Sequence, residues 1–215
     1  MVNIEPRSFL DDVRRARLIA IIRGDAGQAA VATASALFES GVRLVEVALT
    51  TPDAPAAIRS IARKAPPGCR VGAGTVLSEG DVAAAIKAGA TFAVTPGMAP
   101  SVPACVAAGL PVLVGALTPT EALAARDAGA TAVKLFPASL GGPGYLKALR
   151  DPLPDLPFIP VGGVGVLEAE EYLRMGAVAV GVGGPLVGDA ASGGDLAALR
   201  MRARTFVDAL AERDR

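Results

Sequence analysis

The sequence predicts an α/β protein formed as a single (β/α)8 TIM barrel, and three observations point there. An Ala-rich helical stretch, a glycine and a short apolar run recur in that order along the chain. Eight apolar runs are candidate strands, and 215 residues shared among eight units gives about 27 each, near the roughly 30 of a βα unit. The runs are apolar throughout rather than alternating, as expected of a parallel sheet covered by helices.

The glycines mark where helices stop. Gly41 precedes Leu44-Val45-Glu46-Val47, Gly89 precedes Phe92-Ala93-Val94, and Gly109 precedes Val112-Leu113-Val114. Gly129 leads into Ala132-Val133, and Gly176 into Val178-Ala179-Val180. Each suits the left-handed residue that ends a helix, and each run after it is short enough for a buried strand. The expected strands are Leu18–Ile22, Leu44–Ala48, Arg70–Ala73, Phe92–Thr95, Val112–Gly115, Ala132–Leu135, Phe158–Val161 and Ala179–Val182. An open doubly wound sheet is the alternative, but Arg23-Gly24-Asp25-Ala26-Gly27 after the first strand is a poor match to the dinucleotide fingerprint. A last amphipathic helix, about Asp195 to Arg213, carries Leu196, Leu199, Phe206, Val207 and Leu210 and should cover the barrel, its arginines forming a solvated face. Residues 1–215 read as one domain.

Composition excludes several kinds of chemistry. There is no histidine, so a Ser-His-Asp triad, a Cys-His pair and a histidine-bound zinc are ruled out. The net charge is zero, which leaves no basic excess for nucleic acid. Cys69 and Cys105 lack CxxC spacing and read as two small buried hydrophobes. Met1 to Arg17 is charged and has no apolar stretch of signal-peptide length, and no later stretch reaches membrane-span length. A cytoplasmic protein with neither metal nor cofactor is the expectation.

Two charges stand in apolar strands. The chain has four lysines, and Lys134 alone lies inside such a run, Ala132-Val133-Lys134-Leu135. Glu46 is its counterpart in Leu44-Val45-Glu46-Val47-Ala48. Charges are seldom buried unless paired or functional. One reading is a structural ion pair filling the barrel, which adds little net stability because desolvation offsets attraction. The other is a lysine nucleophile with a carboxylate proton carrier at the barrel mouth, where barrel active sites lie. A neutral amine is required for attack, and apolar walls or a neighbouring cation such as Arg23 favour it. Val161-Gly162-Gly163 and Gly181-Val182-Gly183-Gly184 follow the seventh and eighth strands, where barrels often hold phosphate on bare amides.

With these residues in view the chain resembles the 2-keto-3-deoxy-6-phosphogluconate and 6-phosphogalactonate aldolases, a family that includes 4-hydroxy-2-oxoglutarate aldolases. The resemblance runs from about Leu18 to Val187. Its motifs are Ile21-Ile22-Arg23-Gly24, Val45-Glu46-Val47, Val71-Gly72-Ala73-Gly74-Thr75-Val76, Thr95-Pro96-Gly97, Val133-Lys134-Leu135-Phe136-Pro137 and Val161-Gly162-Gly163. It implies a homotrimeric barrel that cleaves a sugar acid to pyruvate and glyceraldehyde 3-phosphate. It also implies a Schiff base on Lys134, proton shuttling by Glu46, and carboxylate binding by Arg23 and Thr75. Pro96 and Phe136 would then line the pyruvate pocket, and Gly162, Gly163, Gly183 and Gly184 would hold the phosphate. Three positions depart from the usual pattern. Val161 replaces the threonine of the gluconate branch and matches the galactonate branch. Thr50 stands where many relatives have arginine, leaving Arg23 as the candidate cation. Gly184 replaces a common serine, which points to a smaller substrate such as 4-hydroxy-2-oxoglutarate as an alternative. Outside the aldolases, the same barrel could serve a phosphosugar isomerase or epimerase with Glu46 as base, or a non-catalytic phosphate-ligand sensor.

Overall fold

The computed structural model describes residues 5–211. Strands β1 (Leu18–Ile22), β2 (Leu44–Ala48), β3 (Arg70–Gly74), β4 (Ala93–Val94), β5 (Val112–Ala116), β6 (Ala132–Leu135), β7 (Phe158–Pro160) and β8 (Val180–Val182) are all parallel. Their spatial order is β7-β6-β5-β4-β3-β2-β1-β8. A parallel bridge between Val161 and Gly181, with a 3.0 Å bond from the Val178 amide to the Phe158 carbonyl, closes the ring. The expected (β/α)8 barrel is the observed one. Each expected strand is present, with ends that differ by one residue or so; Phe92 and Thr95 fall just outside the short β4.

Helices α1 (Pro6–Ala16), α2 (Gly27–Glu39), α3 (Ala54–Lys64), α4 (Glu79–Ala88), α5 (Ser101–Ala107), α6 (Pro119–Asp127), α7 (Gly142–Arg150), α8 (Val166–Arg174), α9 (Gly184–Val187) and α10 (Leu196–Leu210), with short 3-10 turns at Ala138–Leu140 and Ala190–Ser192, make up the rest of the regular structure among the described residues. Gly89 shows how they stop. It sits at φ +90°, donates to Ile86 O at 2.9 Å, and the next amide, Ala90, bonds Ala85 O at 3.0 Å. That pattern satisfies two end carbonyls and turns the chain toward the sheet. Starts are equally local: Ser78 with Asp81, and Thr118 with Glu121, form reciprocal capping boxes. Among the described residues no helix is long and apolar enough to cross a membrane.

Two apolar layers result. The larger lies between strands and helices, and the smaller fills the barrel interior with Ile19, Leu44, Phe92, Val94, Leu113, Ala132 and Ile159. The interior layer also includes Phe9 and Val13 of α1, one turn apart and fully buried. Phe9 stacks on Phe92 with centroids 4.9 Å apart. The first helix therefore plugs the N-terminal end of the barrel, with Asp12 tied to Arg70 Nε at 2.7 Å. The covering helix begins as expected at Asp195, whose carboxylate caps Ala197 and Ala198 amides. Its expected last residues, up to Arg213, extend past the described residues. One of its arginines corrects the expectation of a wholly solvated face: Arg202 donates to Leu186 O at 2.8 Å and Val187 O at 3.0 Å, capping α9.

Candidate active site

Strand periodicity aims the two charges. Side chains two residues apart share a face. Leu44 and Ala132 belong to the interior layer, so Glu46 and Lys134 point inward too, one level nearer the C-terminal mouth. Both are buried, Glu46 at 2% exposure and Lys134 at 7%. No salt bridge joins them among the described residues, so the alternative of a direct structural ion pair is not what this barrel holds.

Glycines on the inner face create the room. A Cβ on Gly74 would fall 1.8 Å from Glu46 Oε1, and one on Gly72 would fall 2.4 Å from the Phe92 ring. Likewise a Cβ on Gly115 would meet the Pro96 carbonyl at 2.1 Å. A glycine inside a strand can mark such a close approach. That signal was present in the sequence, but which partner each glycine admits depends on the register.

A cavity of about 400 Å³ opens above this level. Arg23, Thr75, Pro96, Lys134, Phe136, Val161, Gly162, Gly163, Gly183 and Gly184 all line it. Ten of the eleven expected site residues thus share one wall. The eleventh, Glu46, is in the barrel interior, close enough to feel the charges of Lys134 and Arg23. Burial pushes the Glu46 carboxyl above the ordinary carboxylate range, and the pull of Lys134 and Arg23 in the other direction does not cancel it. Sequence reasoning did not single out Ile21, Val164 and Pro185, which also face the cavity.

The loops that carry the site are held by specific contacts. Gly24, next to Arg23, donates its amide to Thr51 Oγ1 at 3.3 Å and packs so closely on the Ala191 carbonyl that a Cβ would overlap it. Thr95 is fully buried and donates to Gly97 O at 2.7 Å, fixing the turn that carries Pro96. Thr75 holds φ +58°, a strained conformation for a β-branched residue, at the cavity edge. Gly162 and Gly163, at φ +101° and +71°, present a turn that few other residues could adopt. Gly184 leaves open space where a larger side chain would sit.

A buried amine lining the mouth of a closed parallel barrel, with a buried carboxyl group in the interior near enough to feel its charge, is the equipment of an imine-forming lyase, the aldolase class. Comparison with known proteins narrows this: the chain belongs to the KDPG and KHG aldolase family, whose sequence model matches residues 10–200. It is 39% identical over 181 residues to a probable 2-dehydro-3-deoxy-6-phosphogalactonate aldolase of Rhizobium meliloti, a match that covers 83% of this chain and 85% of that one. A structure described as native KDPGal is 34% identical with a TM-score of 0.84, covering 89% of this chain and 93% of the other. The KDPG aldolase of Legionella pneumophila, solved with pyruvate captured at low pH as a covalent carbinolamine intermediate, is 28% identical with a TM-score of 0.80 over 96% of both chains.

Proposed function

We propose that this protein cleaves a 2-keto-3-deoxy-6-phospho sugar acid of galactonate configuration to pyruvate and glyceraldehyde 3-phosphate, through a Schiff base on Lys134. The observation that carries the reading is that Lys134 and Glu46 are both buried and both aimed into the barrel interior, with Lys134 lining the cavity at the mouth and no direct ion pair between them.

The chemistry balances with these two groups alone. The neutral Lys134 amine attacks C2; the new C–N bond replaces the C–O bond, a proton from Glu46 completes the departing water, and a cationic imine remains. Glu46, now a carboxylate, takes the proton of the C4 hydroxyl. The C3–C4 bond breaks, its electron pair flows into the imine, and the aldehyde leaves. Glu46 then returns the proton to the enamine carbon to form the methyl group of pyruvate, and water releases the keto acid. The raised affinity of Glu46 for its proton suits a group that must give and take it in turn. Arg23 and Thr75 hold the C1 carboxylate, Pro96 and Phe136 enclose the pyruvyl unit, and the amides around Gly162, Gly163, Gly183 and Gly184 receive the phosphate.

Val161 supports the galactonate assignment. It is buried in the inner layer beside Gly181, presenting methyl groups where a threonine would offer a hydroxyl. Cleavage should therefore be most efficient on the galactonate substrate, with Val161→Thr raising the gluconate rate relative to it. Removing the phosphate takes away at least one charge-assisted hydrogen bond, a loss of roughly 10- to 150-fold in kcat/KM. Kinetics on four substrates, each configuration with and without phosphate, checks both statements. A strong gluconate preference overturns the assignment by Val161, and equal rates without phosphate favour 4-hydroxy-2-oxoglutarate, as the open space at Gly184 allows.

The position of Glu46 is testable through its neighbour. Gly74→Ala places a methyl group against the carboxylate and should turn it aside, lowering kcat by about 10²-fold. Steady-state kinetics reads this, and an unchanged kcat would show that Glu46 needs no fixed placement. We also infer that residues 1–215 work as one domain in a cytoplasmic homotrimer.

A further inference from the structure

We propose that Phe136 is a catalytic residue as well as a wall of the pocket: the face of its ring stabilises the positive charge that the nitrogen of Lys134 carries once the imine forms. The inference rests on the Schiff-base reading and extends it. Lys134 Nζ lies over the Phe136 ring, 4.9 Å from its centroid, within the range of a cation–π contact. Among the described residues this amine has no carboxylate at ion-pair distance and no hydrogen bond to protein. The ring face is therefore a source of negative potential in direct reach of the amine, beside the longer-range pull of Glu46.

The ring is held in that place. The Phe136 amide donates to Ala116 O at 3.0 Å, and two residues on Ala138 donates to Val161 O at 2.8 Å. The buried hydroxyl of Tyr172 adds a 2.9 Å bond to the Ala138 carbonyl. Gly162 packs on the ring, where a Cβ would stand 3.3 Å from Cε2 and 3.4 Å from Cδ2, so the absent side chain leaves room for the ring in this position. The contact matters more after imine formation than before it. A free ammonium has three N–H groups to give to water, whereas the imine cation has one and its charge is spread toward C2. With less hydration to draw on, the imine depends more on the aromatic face, and this difference is what lowers a barrier.

Graded fluorination of the ring separates the electrostatic role from a packing role, because it drains charge from the ring face while changing shape little. Enzymes carrying mono-, di- and trifluorophenylalanine at position 136 should lose kcat/KM stepwise, by roughly 2- to 30-fold across the series. The fraction of Lys134 trapped with pyruvate by borohydride, read by mass, should fall in the same order. If trapping and turnover are flat across the series while Phe136→Leu is slow, the ring is only a wall and the proposal is overturned. If the unmodified enzyme forms no adduct at all, the Schiff-base reading fails and this proposal with it.

Discussion

Lys134→Arg is expected to abolish cleavage, by about 10⁴-fold or more, while leaving the fold intact. Arginine can place its guanidinium by the Phe136 ring and has the adjoining cavity of about 400 Å³ to extend into. What it cannot supply is a lone pair, since a guanidinium stays protonated in proteins. Pyruvate with borohydride should add a reduced pyruvyl mass to Lys134 in the parent protein, and none in Lys134→Arg or Lys134→Ala. The comparison also decides between reaction types on this barrel. An isomerase or epimerase with Glu46 as base needs a positive charge near the carbonyl but no covalent bond, so Lys134→Arg would keep turnover within about tenfold. Thermal melting and circular dichroism of each variant show that a lost rate is not a lost fold.

The barrel was legible in the sequence because each βα unit carries its own punctuation. Gly41, Gly89, Gly109, Gly129 and Gly176 all adopt positive φ where helices stop, and the strands between them needed only local hydrophobicity to be found. The two reactive groups were legible for a related reason: a charge inside an apolar strand is conspicuous in one dimension. The rest of the site was not. Thr75 and Pro96 are ordinary loop residues in the sequence, and resemblance, not physics, singled them out; Arg23 was named as a candidate cation near the lysine, but its carboxylate-binding role came from resemblance alone. Their standing comes from tertiary facts: Gly24 wedged against Ala191, the strained backbone of Thr75, and the Thr95 hydroxyl that fixes the Pro96 turn. The plug formed by Phe9 and Val13 was invisible for the same reason, since its partner Phe92 lies 83 residues away (92 − 9) and only barrel closure brings them together. Arg202 shows how a helix pattern can mislead, because periodicity assigns a face but cannot see the α9 carbonyls waiting there.

Glu46→Gln is expected to cut kcat by about 10²- to 10⁴-fold and, at neutral pH, to make the protein more stable. The activity loss follows from removing the one buried acid among the described residues, which shares the barrel interior with Lys134. The stability gain follows from linkage. Burial raises the folded-state affinity of Glu46 for its proton above the ordinary carboxyl value of 4.5, the attraction of Lys134 and Arg23 notwithstanding. Below that value the group is protonated whether the chain is folded or not, and it contributes nothing. As pH rises above it, the unfolded chain releases the proton while the folded chain keeps it, and each pH unit costs the folded state up to about 1.36 kcal/mol. The cost levels off once pH passes the raised folded value. Glutamine has no proton to lose and escapes the cost, so the melting temperature of Glu46→Gln should match the parent near pH 4 and exceed it at higher pH, the difference growing until the raised folded value is passed and then holding. Calorimetry across that range tests the sign. A Glu46→Gln protein that melts below the parent at pH 8 would mean that the cations at the mouth stabilise the carboxylate more than burial penalises it. Glu46 would then be a resident counter-charge, and proton transfer would have to be assigned elsewhere. A protein that gains stability and loses turnover together shows instead that the fold tolerates this acid at a disadvantage because the reaction requires it.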